Sequence, residues 1–120
     1  VLIPVTRVEA EHTTLTEILN GRVVRRLTIT EPRAGLKRRM HRHLRRDDYI
    51  YVLSGQVSLS VFDGNRYAKI PVKSGVHVVM VSKGIWHRYE TGSETVVILE
   101  ASSEAFDPCD VEEFHGEEPP

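Results

Sequence analysis

Turn chemistry recurs along this chain at short, nearly even intervals, and that punctuation constrains the fold more than any other feature. Asn20-Gly21, the Pro- and Gly-containing stretch 31–35, Ser54-Gly55, Asp63-Gly64-Asn65, Lys73-Ser74-Gly75, Ser82-Lys83-Gly84 and Gly92-Ser93 mark the turns. Glycine takes positive φ without steric cost, and Asn or Asp folds back on its own backbone. The intervening runs, 14–19, 23–30, 38–43, 48–53, 56–62, 69–72, 76–81, 87–90 and 95–101, are rich in Val, Ile, Thr and Tyr. Short strands with regular turns and few helix signals predict an all-β barrel or sandwich. Val57, Leu59 and Val61 alternate with Gln56, Ser58 and Ser60, the pattern of a strand with one face on a core. The continuously apolar 96–99 predicts burial on both faces.

A chain of 120 residues accommodates one hydrophobic core. The expected organisation is a single domain over 1–114, with 103–114 forming a short helix or an extended flap at one end. Residues 115–120 are expected to be a disordered tail. No segment reaches membrane-spanning length, and the start, VLIPVTRVEAEH, reads as a strand rather than a signal. The single cysteine, Cys109, cannot form an internal disulfide and reads as an ordinary thiol, so a cytoplasmic location is expected. Net charge is −1, but residues 22–46 are rich in arginine and residues from 100 onward in acids. The uneven charge predicts mutual neutralisation within the chain or between subunits, and points to neither nucleic acid nor membrane as a partner.

The strongest chemical signal is a spacing: Gly35, His41, His43, Asp48, Gly55. Residues two apart on a strand share a face, so His41 and His43 present two imidazoles to one side. Asp48 returns a carboxylate close by, and the turn at Gly84 leads to His87, which can supply a third imidazole. His41, His43, Asp48 and His87 thus predict a site for one divalent transition metal, with Mn, Fe, Ni and Zn all compatible with these ligands. Four protein ligands leave open positions on a six-coordinate ion, as a catalytic metal requires.

The stretch GLKRRMHRHLRRDDYIYVLSG resembles the first motif of the cupins, with Asp48 where that family usually has glutamate. GVHVVMVSKGIWH resembles the second, with Ser82 where proline is usual. The resemblance implies a double-stranded β-helix, a jelly-roll barrel with its metal between the sheets, and, as in other small cupins, a homodimer. Within the cupins, MHRH, YVLSGQVSLSV, GIWHRYE and the closing VVILEASSEAFDPCDVEEF are similar to the cupin domain of type II phosphomannose isomerases and mannose-1-phosphate guanylyltransferases. A second likeness is to nucleotide-sugar ketoisomerases and epimerases, some of which use the histidine pair as acid and base without metal. Both imply an isomerase-like enzyme acting on a small, oxygen-rich, anionic substrate such as a sugar phosphate or nucleotide sugar.

Arg39 shares the phase of the histidine pair and is the preferred substrate contact, because guanidinium matches phosphate or carboxylate in a bidentate way. Arg38 and Arg42 take the opposite phase. Tyr49, Tyr51 and Trp86 are candidates to line the substrate pocket, although packing roles fit them equally. Tyr89, His77 and Glu17 are candidates for the general base. Two rivals share these ligands: an iron-dependent dioxygenase, and a non-enzymatic ligand-binding or dimerisation module. The apolar start, Val1 to Val5, is expected to pair with a partner's sheet and cover its edge.

Overall fold

The structure is a computed structural model and describes residues 1–119; residue 120, the end of the expected tail, lies outside the described residues. The regular elements among the described residues are all strands: β1 (Leu2–Pro4), β2 (Thr6–Glu9), β3 (Thr14–Glu17), β4 (Arg26–Thr30), β5 (His41–Arg42) and β6 (Asp48–Ser54). There follow β7 (Gln56–Phe62), β8 (Tyr67–Lys73), β9 (His77–Val81), β10 (Trp86–Thr91), β11 (Val97–Ser102) and β12 (Glu112–Glu113). Two five-stranded antiparallel sheets, ordered β1-β9-β6-β11-β4 and β12-β5-β10-β7-β8, bear the core, and β2 pairs with β3 in a separate hairpin. Neighbours in each sheet are mostly distant in sequence, the wiring of a double-stranded β-helix. No helix among the described residues is long and apolar enough to cross a membrane.

The core forms where the inner faces meet. Ile50, Val52, Val79, Val81 and Ile98 from the first sheet pack with Val57, Leu59, Val72 and Tyr89 from the second. Val57 and Leu59 are buried and Val61 packs against them, as their alternation requires. In the run 96–99, Val96 and Ile98 are fully buried while Val97 and Leu99 are half-buried, Leu99 against the outer-face cluster of Tyr49, Tyr51, Val78 and Ala101. Pro71 falls on β8, an edge strand, where a missing N–H is tolerated. Gly55 joins β6 to β7 at φ +85°, and a Cβ there would lie 2.6 Å from the Thr95 carbonyl oxygen. Positive φ and close backbone approach together require glycine at this turn.

Several boundaries differ from expectation. The expected strand 38–43 contracts to His41–Arg42, so strict alternation does not govern Arg38 and Arg39. Of the two forms expected for 103–114, the segment takes the non-helical one, passing through a turn at 108–109 and laying β12 beside β5. Within the expected tail, the Glu118 carboxylate pairs with Arg88 and accepts the Met40 N–H at 2.9 Å. β1 pairs with β9 of its own chain, through Leu2↔Val79 and Pro4↔His77, so the N-terminal strand covers an edge of its own sheet. The arginine-rich and acidic segments neutralise each other within the chain: Arg25–Glu104 at 3.0 Å, Arg42–Glu112 at 2.9 Å and Arg45–Asp107 at 3.2 Å.

Candidate functional site

Strand register brings the three histidines together. His87 on β10 lies directly across from His41 on β5, and their ring centroids are 4.5 Å apart. His43, two residues beyond His41, is 5.2 Å from His41 and 5.6 Å from His87. One ring nitrogen of each lies within 4.8 Å of the others, close enough for the three to hold a metal ion.

Each ring is fixed by its own carbonyl. Nδ1 of His41 lies 3.0 Å from the Arg39 oxygen, Nδ1 of His87 3.0 Å from the Ile85 oxygen, and Nδ1 of His43 2.5 Å from the Asp110 oxygen. A carbonyl only accepts, so each Nδ1 carries the hydrogen, which in a neutral ring leaves the lone pair at Nε2. The Arg46 Nη2, which only donates, stands 3.0 Å from the His43 Nε2 and fits this tautomer. Burial pushes the His87 imidazole down to about 3, with His41 adding to the shift, and burial also lowers His41. Both rings are therefore neutral at pH 7.

Asp48 stands on the opposite sheet at the start of β6, but its oxygens are committed. Oδ1 accepts the Ser102 hydroxyl at 2.8 Å and lies 3.0 Å from the Arg46 Nε; Oδ2 is 3.6 Å from the His43 Nε2. Tested as a metal site, the three imidazoles fit and Asp48 does not join them. Ser102 and Arg46 hold Oδ1, and the nearest approach of Asp48 to the imidazoles is Oδ2 to the His43 Nε2.

These groups open into a pocket of about 370 Å³ lined by Arg38, Arg39, His41, His43, Arg46 and Asp48, by His87, Tyr89 and Glu100, and by Phe106, Val111 and Glu113 from the C-terminal segment. Arg39 is there as expected, half-exposed, its Nη2 donating to the Phe114 carbonyl at 2.7 Å. Arg38 is there against expectation, because residues 38–40 lie outside the strand and both side chains reach the pocket. Its guanidinium carbon lies 5.8 Å from the Tyr89 ring centre.

Other expected site residues are not brought together. Asp48 faces inward, so alternation along β6 turns Tyr49 and Tyr51 outward, into an apolar cavity of about 210 Å³ with Leu27, Val78 and Leu99. Trp86 faces outward from β10 and packs edge-on against Phe114, with Arg42 stacked 4.4 Å from its ring centre. Among the base candidates, Tyr89 lines the pocket, and burial and the Glu100 charge raise its hydroxyl above the ordinary value. His77 does not: Val81 is the residue of β9 beside Asp48, and His77 lies four positions further along, about 13 Å at strand rise. Glu17 pairs with Thr6 in the exposed hairpin, outside the pocket.

Glu100, Arg46 and Arg38 are pocket residues the sequence reading did not select. The signal for Glu100 was present: inward Ile98 places Glu100 inward by the period of two, a lone acid closing an apolar run. Arg46 carried no such signal, since it precedes β6 and its direction depends on Asp48.

A protein-family model described as FdtA, WxcM-like C-terminal, matches residues 9–116. No protein of curated function matches the sequence significantly. Among solved structures, the WlaRB TDP-quinovose 3,4-ketoisomerase of Campylobacter jejuni superposes with a TM-score of 0.85 at 16% identity, covering 94% of this chain and 91% of that one. A mutant of the 3,4-ketoisomerase QdtA from Thermoanaerobacterium thermosaccharolyticum, in complex with TDP-4-keto-6-deoxyglucose, gives 0.80 at 17% identity over 93% and 85%. The rmlC epimerase of Mycobacterium tuberculosis gives 0.78 at 19% identity over 93% and 66%. The likeness to these solved structures shows a shared fold, and their own names are those of sugar ketoisomerases and an epimerase, the second of the two expected likenesses. With the family model spanning nearly all of its strands, the chain belongs to the FdtA family, of the WxcM-like C-terminal type.

Proposed function

We propose that this protein is a nucleotide-sugar isomerase, moving protons at carbons next to a ketone on a small, oxygen-rich, anionic substrate. One observation carries the reading: three imidazoles, each with its Nδ1–H on a backbone carbonyl, gather at one pocket, where Arg46 meets the His43 Nε2 and the Nε2 atoms of His41 and His87 are left as the bases. A neutral imidazole is the base such a reaction needs at pH 7, and a fixed tautomer removes the reorganisation that would otherwise accompany proton transfer. Arg38 and Arg39 at the pocket suit the anionic part of a nucleotide sugar. The names of the similar structures, sugar ketoisomerases and an epimerase, support the same substrate class. The protein incubated with TDP-4-keto-6-deoxyglucose, with sugar products read by NMR and oxygen by electrode, tests this. A new keto isomer without oxygen uptake is expected. Oxygen consumption would favour the dioxygenase, and an unchanged sugar would contradict the reading.

The proximity of the three nitrogens favours a second reading, with one divalent transition ion on His41, His43 and His87. Bound there, an ion would polarise the substrate carbonyl as a Lewis acid. The Arg46 guanidinium 3.0 Å from the His43 Nε2 opposes it, since it already occupies that lone pair. Metal analysis of untagged protein separates the two. The homodimer remains part of the proposal, with a second copy covering the outer face of the first sheet, and so does the cytoplasmic location suggested by the lone thiol.

A further inference from the structure

We infer that Glu100 is a further catalytic residue of this pocket, one that carries the hydroxyl proton between the two neighbouring oxygens of the substrate while histidine moves the carbon-bound proton. The inference rests on the keto-sugar reading and deepens it. Glu100 lies on β11 across from Ile50 on one side and Thr28 on the other, which points it to the inner face with Ile98 and Ser102. It therefore enters the pocket from the sheet opposite the three histidines, so a sugar ring between the sheets meets imidazole on one side and carboxyl on the other.

The remaining acids and hydroxyls are poorly placed for this task. Asp48 is held by Ser102 and Arg46 through the same oxygen. Glu113 is exposed at the rim, and the Tyr89 hydroxyl is raised above an already high value. Glu100 is shifted by burial, then by the Asp48 charge, in the direction that favours the protonated carboxyl, and none of the influences on it is a hydrogen bond. Such a group can donate to an oxygen that becomes anionic.

The step balances. A histidine Nε2 takes the hydrogen from the hydroxyl-bearing carbon, the C–H pair becomes a C=C bond, and the carbonyl π pair moves to its oxygen, which takes the Glu100 proton. The neighbouring hydroxyl then returns a proton to Glu100, and its electron pair forms the new carbonyl. The C=C pair accepts the imidazolium proton at the former carbonyl carbon. Both protein groups end as they began, and the ketone has moved by one carbon. Carbon–hydrogen exchange needs only removal of the carbon-bound hydrogen with a hydrogen bond to the carbonyl oxygen, whereas migration of the ketone also needs a carrier that takes the hydroxyl proton back.

Glu100→Gln and Glu100→Asp, assayed with TDP-4-keto-6-deoxyglucose in D2O by NMR, test the role. Glu100→Gln is expected to slow isomer formation roughly 100-fold, the ordinary scale of acid–base assistance, and deuterium uptake beside the ketone clearly less, because its amide still donates a hydrogen bond to the carbonyl oxygen but cannot carry a proton between the oxygens. Glu100→Asp, which keeps a carboxyl with shorter reach, should restore part of the migration rate. Parallel loss of exchange and migration in both variants would overturn the inference by making Glu100 merely structural, and so would unchanged migration in Glu100→Gln. A wild-type protein inert in both readouts would instead bring down the keto-sugar reading beneath it.

Discussion

Fixing Nδ1 on a backbone carbonyl places a hydrogen on that nitrogen in His41, His43 and His87 alike, without any charged partner there. For His87 the arrangement has a consequence for stability. Its folded value of about 3 lies below the ordinary 6.5, so between those limits the unfolded chain binds the extra proton and stability falls as the solution is acidified. Each pH unit below 6.5 weakens the metal-free fold by about 1.4 kcal/mol through this residue, and His41 acts in the same direction. Urea titrations at pH 7 and pH 5 should show a smaller acid-induced loss in His87→Asn than in the parent; equal losses would mean that His87 is not buried neutral. At position 41, His41→Asn should lower sugar isomerisation by roughly 100-fold or more while leaving the melting temperature within a few degrees, because acid–base assistance is what is removed. The histidines were legible as residues, since spacing of two and a glycine turn are local properties. Tyr49, Tyr51 and Trp86 were not, because the parity of β6 and β10 is set by which side of each strand meets the other sheet.

Among the elements, the β6–β7 turn and the C-terminal segment matter most for the site. Gly55→Ala meets both a positive φ and the Thr95 carbonyl, and should cost about 1–3 kcal/mol of unfolding free energy in denaturant titrations; a neutral substitution would show the turn to be built differently. The C-terminal segment holds the loop after His43 through Asp110, whose carboxylate accepts the Leu44 N–H at 2.9 Å and the Arg45 N–H at 3.2 Å while its carbonyl takes His43. Asp110→Ala leaves two N–H groups without their charged acceptor and should destabilise the chain by about 2–3 kcal/mol. Activity should fall with it, since His43 loses the loop that orients its ring. The turn punctuation of the sequence anticipated most of these elements. Strand 38–43 was overextended because Arg38, Arg39 and Met40 look strand-like in isolation, whereas their backbone groups go elsewhere: the Arg38 N–H to the Tyr89 carbonyl and the Met40 N–H to Glu118.

For the molecule as a whole, the all-β jelly roll was written in turn spacing and alternation, and its wiring entered only through family likeness. Long-range pairing such as β6 with β11 leaves no local trace. The outer side of the first sheet is unfinished in a single chain: β4 is an edge strand whose Leu27 and Ile29 are each 64% exposed, beside the apolar cavity over Tyr49 and Tyr51. Exposed apolar surface beside an open strand edge fits a second copy. Light scattering should give a dimer mass, reduced to a monomer by Leu27→Glu with Ile29→Glu; a monomeric parent would contradict the assembly. The central claim is that imidazoles of this pocket move a proton beside a ketone. Its most direct test is the NMR spectrum of TDP-4-keto-6-deoxyglucose in D2O with chelator-treated protein: deuterium replacing the hydrogen next to the ketone is the predicted result, and a fully protonated sugar, or uptake that appears only when a divalent metal is restored, would contradict it.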